Sequence, residues 1–234
     1  MAKIPTSAFL AHLKSLYPSS ASTSAAAARN PWFIVAAVTF SSLNRPEAVP
    51  VILKHTMQGL DDNDGKLHIV RGMRDALFKS GLHQGYPRAI NALVSLYEAT
   101  PVELRDTKPL RDTTLSTEEL TRRGRTMFAQ MYGETADEVQ TMLDAVFPDF
   151  GFFSNTIGYG YTYSFCDVLS PKETSFALIA PLVTMNTPRQ LKWHMQAAVR
   201  NGATKEEVIA ARQIALDICA DAGVAWEGDL PALD

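Results

Sequence analysis

Leu169-Ser-Pro-Lys-Glu173-Thr-Ser-Phe-Ala-Leu-Ile-Ala180, with His194-Met-Gln-Ala-Ala-Val-Arg-Asn-Gly202-Ala-Thr-Lys-Glu-Glu207-Val208 after it, is the most informative stretch of this 234-residue chain. Ser170-x-x-Glu173 and Thr204-x-x-Glu207 fit the capping box, in which a hydroxyl and a carboxylate satisfy the free amides of a helix's first turn. Pro171 takes the first helical position, where its missing N–H costs nothing. The predicted helices span about 171–185, 188–201 and 205–222, with Pro188 opening the middle one. Working outward, Thr187-x-x-Gln190, Thr135-x-x-Glu138 and Ser116-x-x-Glu119 repeat the capping pattern and predict helices over 117–132 and 136–147.

Upstream, helical periodicity continues without an alternating strand pattern. Helices are predicted from Asn30-Pro31 to about Leu43, from Glu47 to Leu60, from Leu67 to Ser80 and from Pro87 to Glu98. Asp61-Asp62-Asn63-Asp64-Gly65 reads as a turn by composition. It lacks the Glu of an EF-hand, because Gly72 stands at the twelfth position. Thr100 to Thr114 reads as a polar connector between two half-domains, about 31–100 and 115–234. Gly151 to Phe165, rich in Gly, Tyr and Phe, resists assignment. The expected class is all-α, one domain over 31–234, preceded by an N-terminal helix and Ser/Ala-rich linker over 1–30.

Composition narrows the partners. A net charge of −3 and a pI near 6.0 give no concentrated basic surface, so nucleic acid is not expected. The apolar run Trp32 to Phe40 is far shorter than the roughly 20 residues of a membrane span, so no membrane partner is expected. Two cysteines, Cys166 and Cys219, form no CxxC. They read as buried reduced thiols, with a disulfide between them as the alternative. Met1 to Pro46 contains no Asp or Glu, and Ser19 to Ala28 is almost entirely Ser, Thr and Ala. That composition partly imitates a mitochondrial presequence. Phe9, Leu10, Leu13, Leu16 and Tyr17, however, fall at helical spacing, as in a docking helix. The expected compartment is the cytoplasm, with the mitochondrion as the alternative. The final Ala-Leu-Asp does not match the Ser-Lys-Leu type of peroxisomal address.

No HxH or HExxH spacing occurs among the five histidines, so no metal site is expected. His194 shares an apolar helical stripe with Leu191, Met195 and Ala198. It is either hydrogen-bonded core filler or a tuned acid/base group. Glu173 is either a cap alone or, at the head of the stripe Phe176, Ala177 and Ala180, a carboxyl of raised pKa suited to proton transfer. Tyr159, Tyr161 and Tyr163 suggest phenols lining a cavity, with Gly160 supplying backbone freedom. Trp193, beside His194, joins them as a candidate substrate contact. Cys219, in a stripe with Ala215 and Ile218, reads as a small buried hydrophobe.

From Leu169 to Val224 the chain resembles the carboxymuconolactone decarboxylase/alkylhydroperoxidase-D superfamily, most closely its fungal-type members. The resemblance rests on the Lys-Glu173 helix opening, the helix bearing His194, and Ala198-x-x-x-Gly202-x-Thr204-x-Glu-Glu207. A weaker echo, Arg74-Asp-Ala-Leu-Phe-Lys79 followed by Gly85-Tyr-Pro-Arg-Ala-Ile-Asn-Ala-Leu93, implies two related helical halves in one chain. The peroxidase members carry a CxxC just before the His. Here those positions are Thr187 and Gln190, which cannot cycle through sulfenate and disulfide.

The decarboxylase branch lacks that cysteine pair too. It implies cofactor-free acid/base chemistry on a small carboxylated lactone or keto acid, with His194 delivering a proton and Glu173 orienting or recharging it. Where decarboxylases tend to carry an arginine, just before Leu169, this chain has Phe165-Cys-Asp-Val168. A non-catalytic scaffold or small-ligand-binding protein of the same fold is the alternative. Either is expected to be a homo-oligomer, dimer or trimer, with a small molecule as its partner.

Overall fold

A computed structural model describes residues 4–18 and 30–233. The Ser/Ala-rich linker lies almost wholly outside them. The described residues are mainly helical and contain no strand. In chain order the α-helices are α1 (Ser7–Leu16), α2 (Trp32–Ser42), α3 (Ala48–Met57), α4 (Asn63–Gln84), α5 (Tyr86–Ala99), α6 (Thr117–Tyr132), α7 (Ala136–Val146), α8 (Pro148–Phe153), α9 (Pro171–Thr184), α10 (Pro188–Arg200) and α11 (Lys205–Asp221). A π-helix, Ser154–Tyr163, continues directly from α8.

The centre of the fold follows from one unusual helix. Every residue of α2 is buried, as expected of a segment apolar on all sides rather than along one stripe. Two of its polar members are bonded: the Thr39 hydroxyl donates to the Val35 carbonyl and the Ser41 hydroxyl to that of Arg88. Around α2 pack α4, α9 and α11, and α9 is itself buried from Thr174 to Val183. One apolar core therefore runs through both sequence halves, from Val35 and Leu77 to Phe176 and Ile214. Helix α1 joins it through Leu10 and Leu13, both wholly buried. Its His12 pairs with Asp217 of α11 at 2.8 Å.

Helix starts obey the capping rule unevenly. Complete boxes form at Ser170/Glu173 and Thr204/Glu207. The Ser116 side chain accepts from the Glu119 amide. Thr135 and Thr187 make no such cap. Their hydroxyls instead donate backwards, to the carbonyls of Tyr132 and Leu182, closing the preceding turn rather than opening the next. The acidic turn is also corrected. Asp62 caps α4 by accepting from the Gly65 amide, so Asn63-Asp64-Gly65 is the first turn of a 22-residue helix.

The connector 100–114 is pinned against α4. Asp106 is held by Arg71 and Arg74. Arg111 donates to Asp75 at 2.6 Å and to the carbonyls of Tyr161 and Thr162, and its guanidinium stacks between Phe78 and Phe165. Cys166 lies at the surface rather than buried, while Cys219 is buried, and both are free thiols.

Gly151 to Phe165, unassigned from sequence, is helical into the π-helix. The amide of Ser164 bonds the carbonyl of Tyr159, five residues back. Gly160 serves a close approach rather than backbone freedom. A Cβ there would run into the Leu120 carbonyl, and one on Gly124 would run into that of Asn155. The two glycines let α6 and the π-helix cross backbone to backbone. That crossing sets the tyrosines against α10.

Candidate functional site

A cavity of about 520 Å³ opens between α4, the α6–α8 region, the π-helix and α10, a size usual for a small-molecule site. Its deep wall is made of rings. His194 is 5 % exposed, and its ring centroid lies 5.0 Å from that of His83, at 77°. Tyr163 meets His83 edge-on at 6.2 Å and Tyr159 at 5.2 Å. The Tyr159 hydroxyl donates to that of Tyr132 at 3.2 Å, and Tyr132 meets Trp193 edge-on at 6.0 Å.

Helical spacing selects these groups. On the π-helix Tyr159 and Tyr163, four residues apart, share the cavity face. Tyr161, which would join them only in a strand, does not line that cavity and borders a separate small pocket with Arg111 and Phe165. On α10 the stripe Leu191, His194, Met195 and Ala198 is buried as its periodicity predicts, and His194 meets the cavity at its edge. His83 was not singled out in the sequence. Its signal was an imidazole at the end of a helix echoing the family's closing pair, too common a feature to notice alone.

The electrostatics are those of a neutral chamber. The Nδ1 atoms of His83 and His194 are both buried without a hydrogen-bond partner. Burial pushes His83 down to about 4, against an opposing contribution from the Leu178 backbone. Burial, then the neighbouring His83, pushes His194 well below the usual histidine range. Both imidazoles are therefore neutral near pH 7. Burial raises the Tyr132, Tyr159 and Tyr163 phenols, which keep their protons. Among the described residues lining the cavity there is no Asp or Glu. The one fixed charge is Arg189, exposed at the mouth with its guanidinium 5.2 Å from the Trp193 ring centroid.

Glu173 lies elsewhere. Its Oε2 accepts from the Ser170 amide at 2.9 Å and the Ser170 hydroxyl at 2.7 Å. Thus His194, Tyr159, Tyr163 and Trp193 come together, whereas Glu173 and Tyr161 stand apart from the cavity. Among the described residues no three His, Cys, Asp or Glu side chains cluster as metal ligands would, and no helix is long and apolar enough to cross a membrane.

Residues 155–228 match the carboxymuconolactone decarboxylase family. Two curated proteins, each called peroxisomal protein 2, are similar along most of their length. That of Schizosaccharomyces pombe is 33 % identical over 202 residues, covering 86 % of this chain and 91 % of its own. That of Saccharomyces cerevisiae is 25 % identical over 263 residues, covering 88 % and 93 %. The match of 155–228 begins in the π-helix and spans α9, α10 and α11, so it includes Tyr159, Tyr163 and His194, while His83 and Tyr132 lie outside it.

Proposed function

The chain belongs to the carboxymuconolactone decarboxylase family, and we propose that it is a cofactor-independent, lyase-like enzyme of the peroxisome whose site is the imidazole–phenol cavity. The compartment is taken from the name shared by its two relatives. The observation that supports the chemistry is the pair of neutral imidazoles facing a small cavity with unsatisfied Nδ1 atoms. An unpaired buried polar group costs about 1–3 kcal/mol, which a hydrogen bond from a ligand in the cavity would recover.

The substrate class is a small carboxylated lactone or keto acid. A neutral His194 is in its proton-accepting form throughout the physiological range. It takes a proton from a carbon next to a carbonyl. The electron pair of the broken C–H bond becomes the enolate π-bond, and the charge moves to the carbonyl oxygen. Tyr163 and Tyr132, held protonated by burial, are the donors available to that oxygen, Tyr159 donating its own proton to Tyr132. With a keto acid bound as its neutral acid, His194 takes the carboxyl proton, the electron pair of the breaking C–C bond becomes the enolate as CO2 leaves, and His194 returns that same proton to carbon. Nothing in either step needs a redox group or a thiol. Glu173 has no part in it.

A second reading, a ligand-binding protein without turnover, is favoured by one observation. Glu173 is committed to its cap and no carboxylate lines the cavity, so no acid recharges His194. The two readings separate by experiment. Purified protein in deuterated water is given a panel of small keto acids and carboxylated lactones, and carbon-bound deuterium and CO2 are followed by NMR. Turnover is expected, and His194→Phe should lower it by about 10²–10⁴-fold while leaving a folded protein. Absence of exchange and CO2 release across the panel would establish the binding reading.

A further inference from the structure

We propose that the natural ligand is an apolar monocarboxylate whose acid group stays at the mouth on Arg189, while a neutral carbonyl carried farther along the molecule reaches the His83–His194 pair. This names the substrate class of the site above and rests on the proton-transfer reading for its chemistry.

The argument starts from where charge is stabilised. Arg189 sits on the first turn of α10, exposed, and stacks over Trp193 one turn further in. A guanidinium so placed presents its donor fork to the mouth at little entropic cost, and it suits a carboxylate that keeps part of its water. Beyond Trp193 every titratable group lining the chamber is a phenol or an imidazole: Tyr132, Tyr159 and Tyr163, His83 and His194. A carboxylate pushed down to His194 would be stripped of water with no cation to meet it. A ketone or lactone carbonyl is not penalised in that way, and it finds O–H and N–H donors there.

The mouth supports an apolar body between the two ends. Val146, Phe150 and Phe153 border the cavity and are 76, 46 and 40 % exposed, and Leu82, Met142 and Leu143 continue the apolar wall inward. Large exposed apolar side chains gathered around an opening mark a binding groove more often than chance. A compact, multiply charged acid would leave this surface unused. A ligand with one charge and an apolar segment covers it. The carboxylate would then be spectator and handle, so the bond changes fall at the distal carbonyl, as proton exchange rather than loss of that carboxylate as CO2.

Calorimetric titration of the full chain with decanoate, decanol and an oxodecanoate bearing its ketone beside the terminal methyl tests this. Decanoate should bind one molecule per chain at least about tenfold more tightly than decanol, as expected for a charge-assisted contact. Arg189→Ala should erase that preference, and Arg189→Lys should restore part of it. The exposed position of Arg189 leaves the fold intact in both. The oxodecanoate should bind more tightly than decanoate, with the difference lost in His194→Phe. Equal affinity for acid and alcohol, or a preference that survives Arg189→Ala, overturns the inference. So does failure of all three probes to bind, which leaves the proton-transfer reading to its own panel. The converse also separates them. Arg189-dependent binding of oxodecanoate without deuterium exchange upholds the ligand class and sinks the proton-transfer chemistry.

Discussion

Asp75, Lys79 and His83 stand four residues apart along α4, yet they belong to two buried polar regions built on opposite rules. The first, around Asp75 and Lys79, is paired by charge, although Asp75 Oδ2 makes an ion pair and no hydrogen bond. Lys79 is wholly buried and donates to the Phe165 carbonyl at 2.7 Å and the Thr174 hydroxyl at 2.8 Å, with Asp75 at 3.2 Å. Asp75 also receives Arg111 at 2.6 Å. The second, around His83, leaves the Nδ1 atoms of His83 and His194 unpaired beside a cavity. Opposite charges held together act as a clasp, tying α4, the connector, the end of the π-helix and α9 together. Neutral groups left unpaired beside a cavity are available to a ligand. One helix thus carries structure and site in consecutive turns, and burial alone does not distinguish them. Charge pairing does.

The largest effect should come from breaking the clasp. Asp75→Ala leaves Lys79 and Arg111 side by side without their counter-charge, and the expected loss is about 3–5 kcal/mol in urea unfolding. Lys79→Met, which removes the buried cation and leaves Asp75 to Arg111, should cost clearly less. Burial already pulls the Lys79 pKa below the usual lysine range, with Asp75 as the largest opposing influence. If the two substitutions cost the same, the clasp is not held by charge balance.

Acid should act on the other region. His83 falls from 6.5 in the unfolded chain to about 4 in the fold, because burial disfavours the imidazolium. Below pH 6.5 the unfolded chain therefore binds more protons, and stability falls as the pH drops from about 6.5 to about 4. The expected loss is about 3 kcal/mol from His83, with His194 adding in the same direction. Asp106, held down to about 2 first by its bond to Arg71, titrates below this window. The double variant His83→Phe/His194→Phe should flatten the slope between pH 6.5 and 4. An unchanged slope would mean that neither imidazole is buried neutral.

The same distinction explains what was legible in the sequence. Helix boundaries were readable where a signal is local. Ser116, Ser170 and Thr204 cap within three residues of themselves, and the helices over 117–132, 171–185, 188–201 and 205–222 match the observed ones closely. Thr135 and Thr187 carry the same pattern but use their hydroxyls on the preceding turn, a choice set by chain direction rather than by residue type. The aromatic tract was opaque because π geometry and the glycine crossing with α6 depend on a partner helix far away in sequence. His194, Tyr159, Tyr163 and Trp193 were readable as candidates, being polar or amphipathic groups on apolar stripes. His83, Tyr132 and Arg189 were not, because each gains its meaning only from the three-dimensional neighbours that make the cavity.

Glu173 gives the smallest effect and the sharpest check on the comparison. A cap and a catalytic carboxylate look alike in sequence, and both would be damaged by substitution. They differ in which quantity moves. With Oε2 accepting from both the amide and the hydroxyl of Ser170, Glu173→Ala should cost about 1 kcal/mol of stability, as removal of a capping interaction does. Deuterium exchange per folded molecule should stay within about twofold of wild type, against the 10²–10⁴-fold loss expected for His194→Phe. Glu173→Gln, whose amide oxygen can still accept from Ser170, should recover most of the stability without its charge. If exchange instead falls with Glu173→Gln while the protein remains as stable as before, the carboxylate acts on the cavity from outside its lining. The divide between charge-paired or capping groups that hold the fold and neutral groups that face the cavity would then fail at this residue.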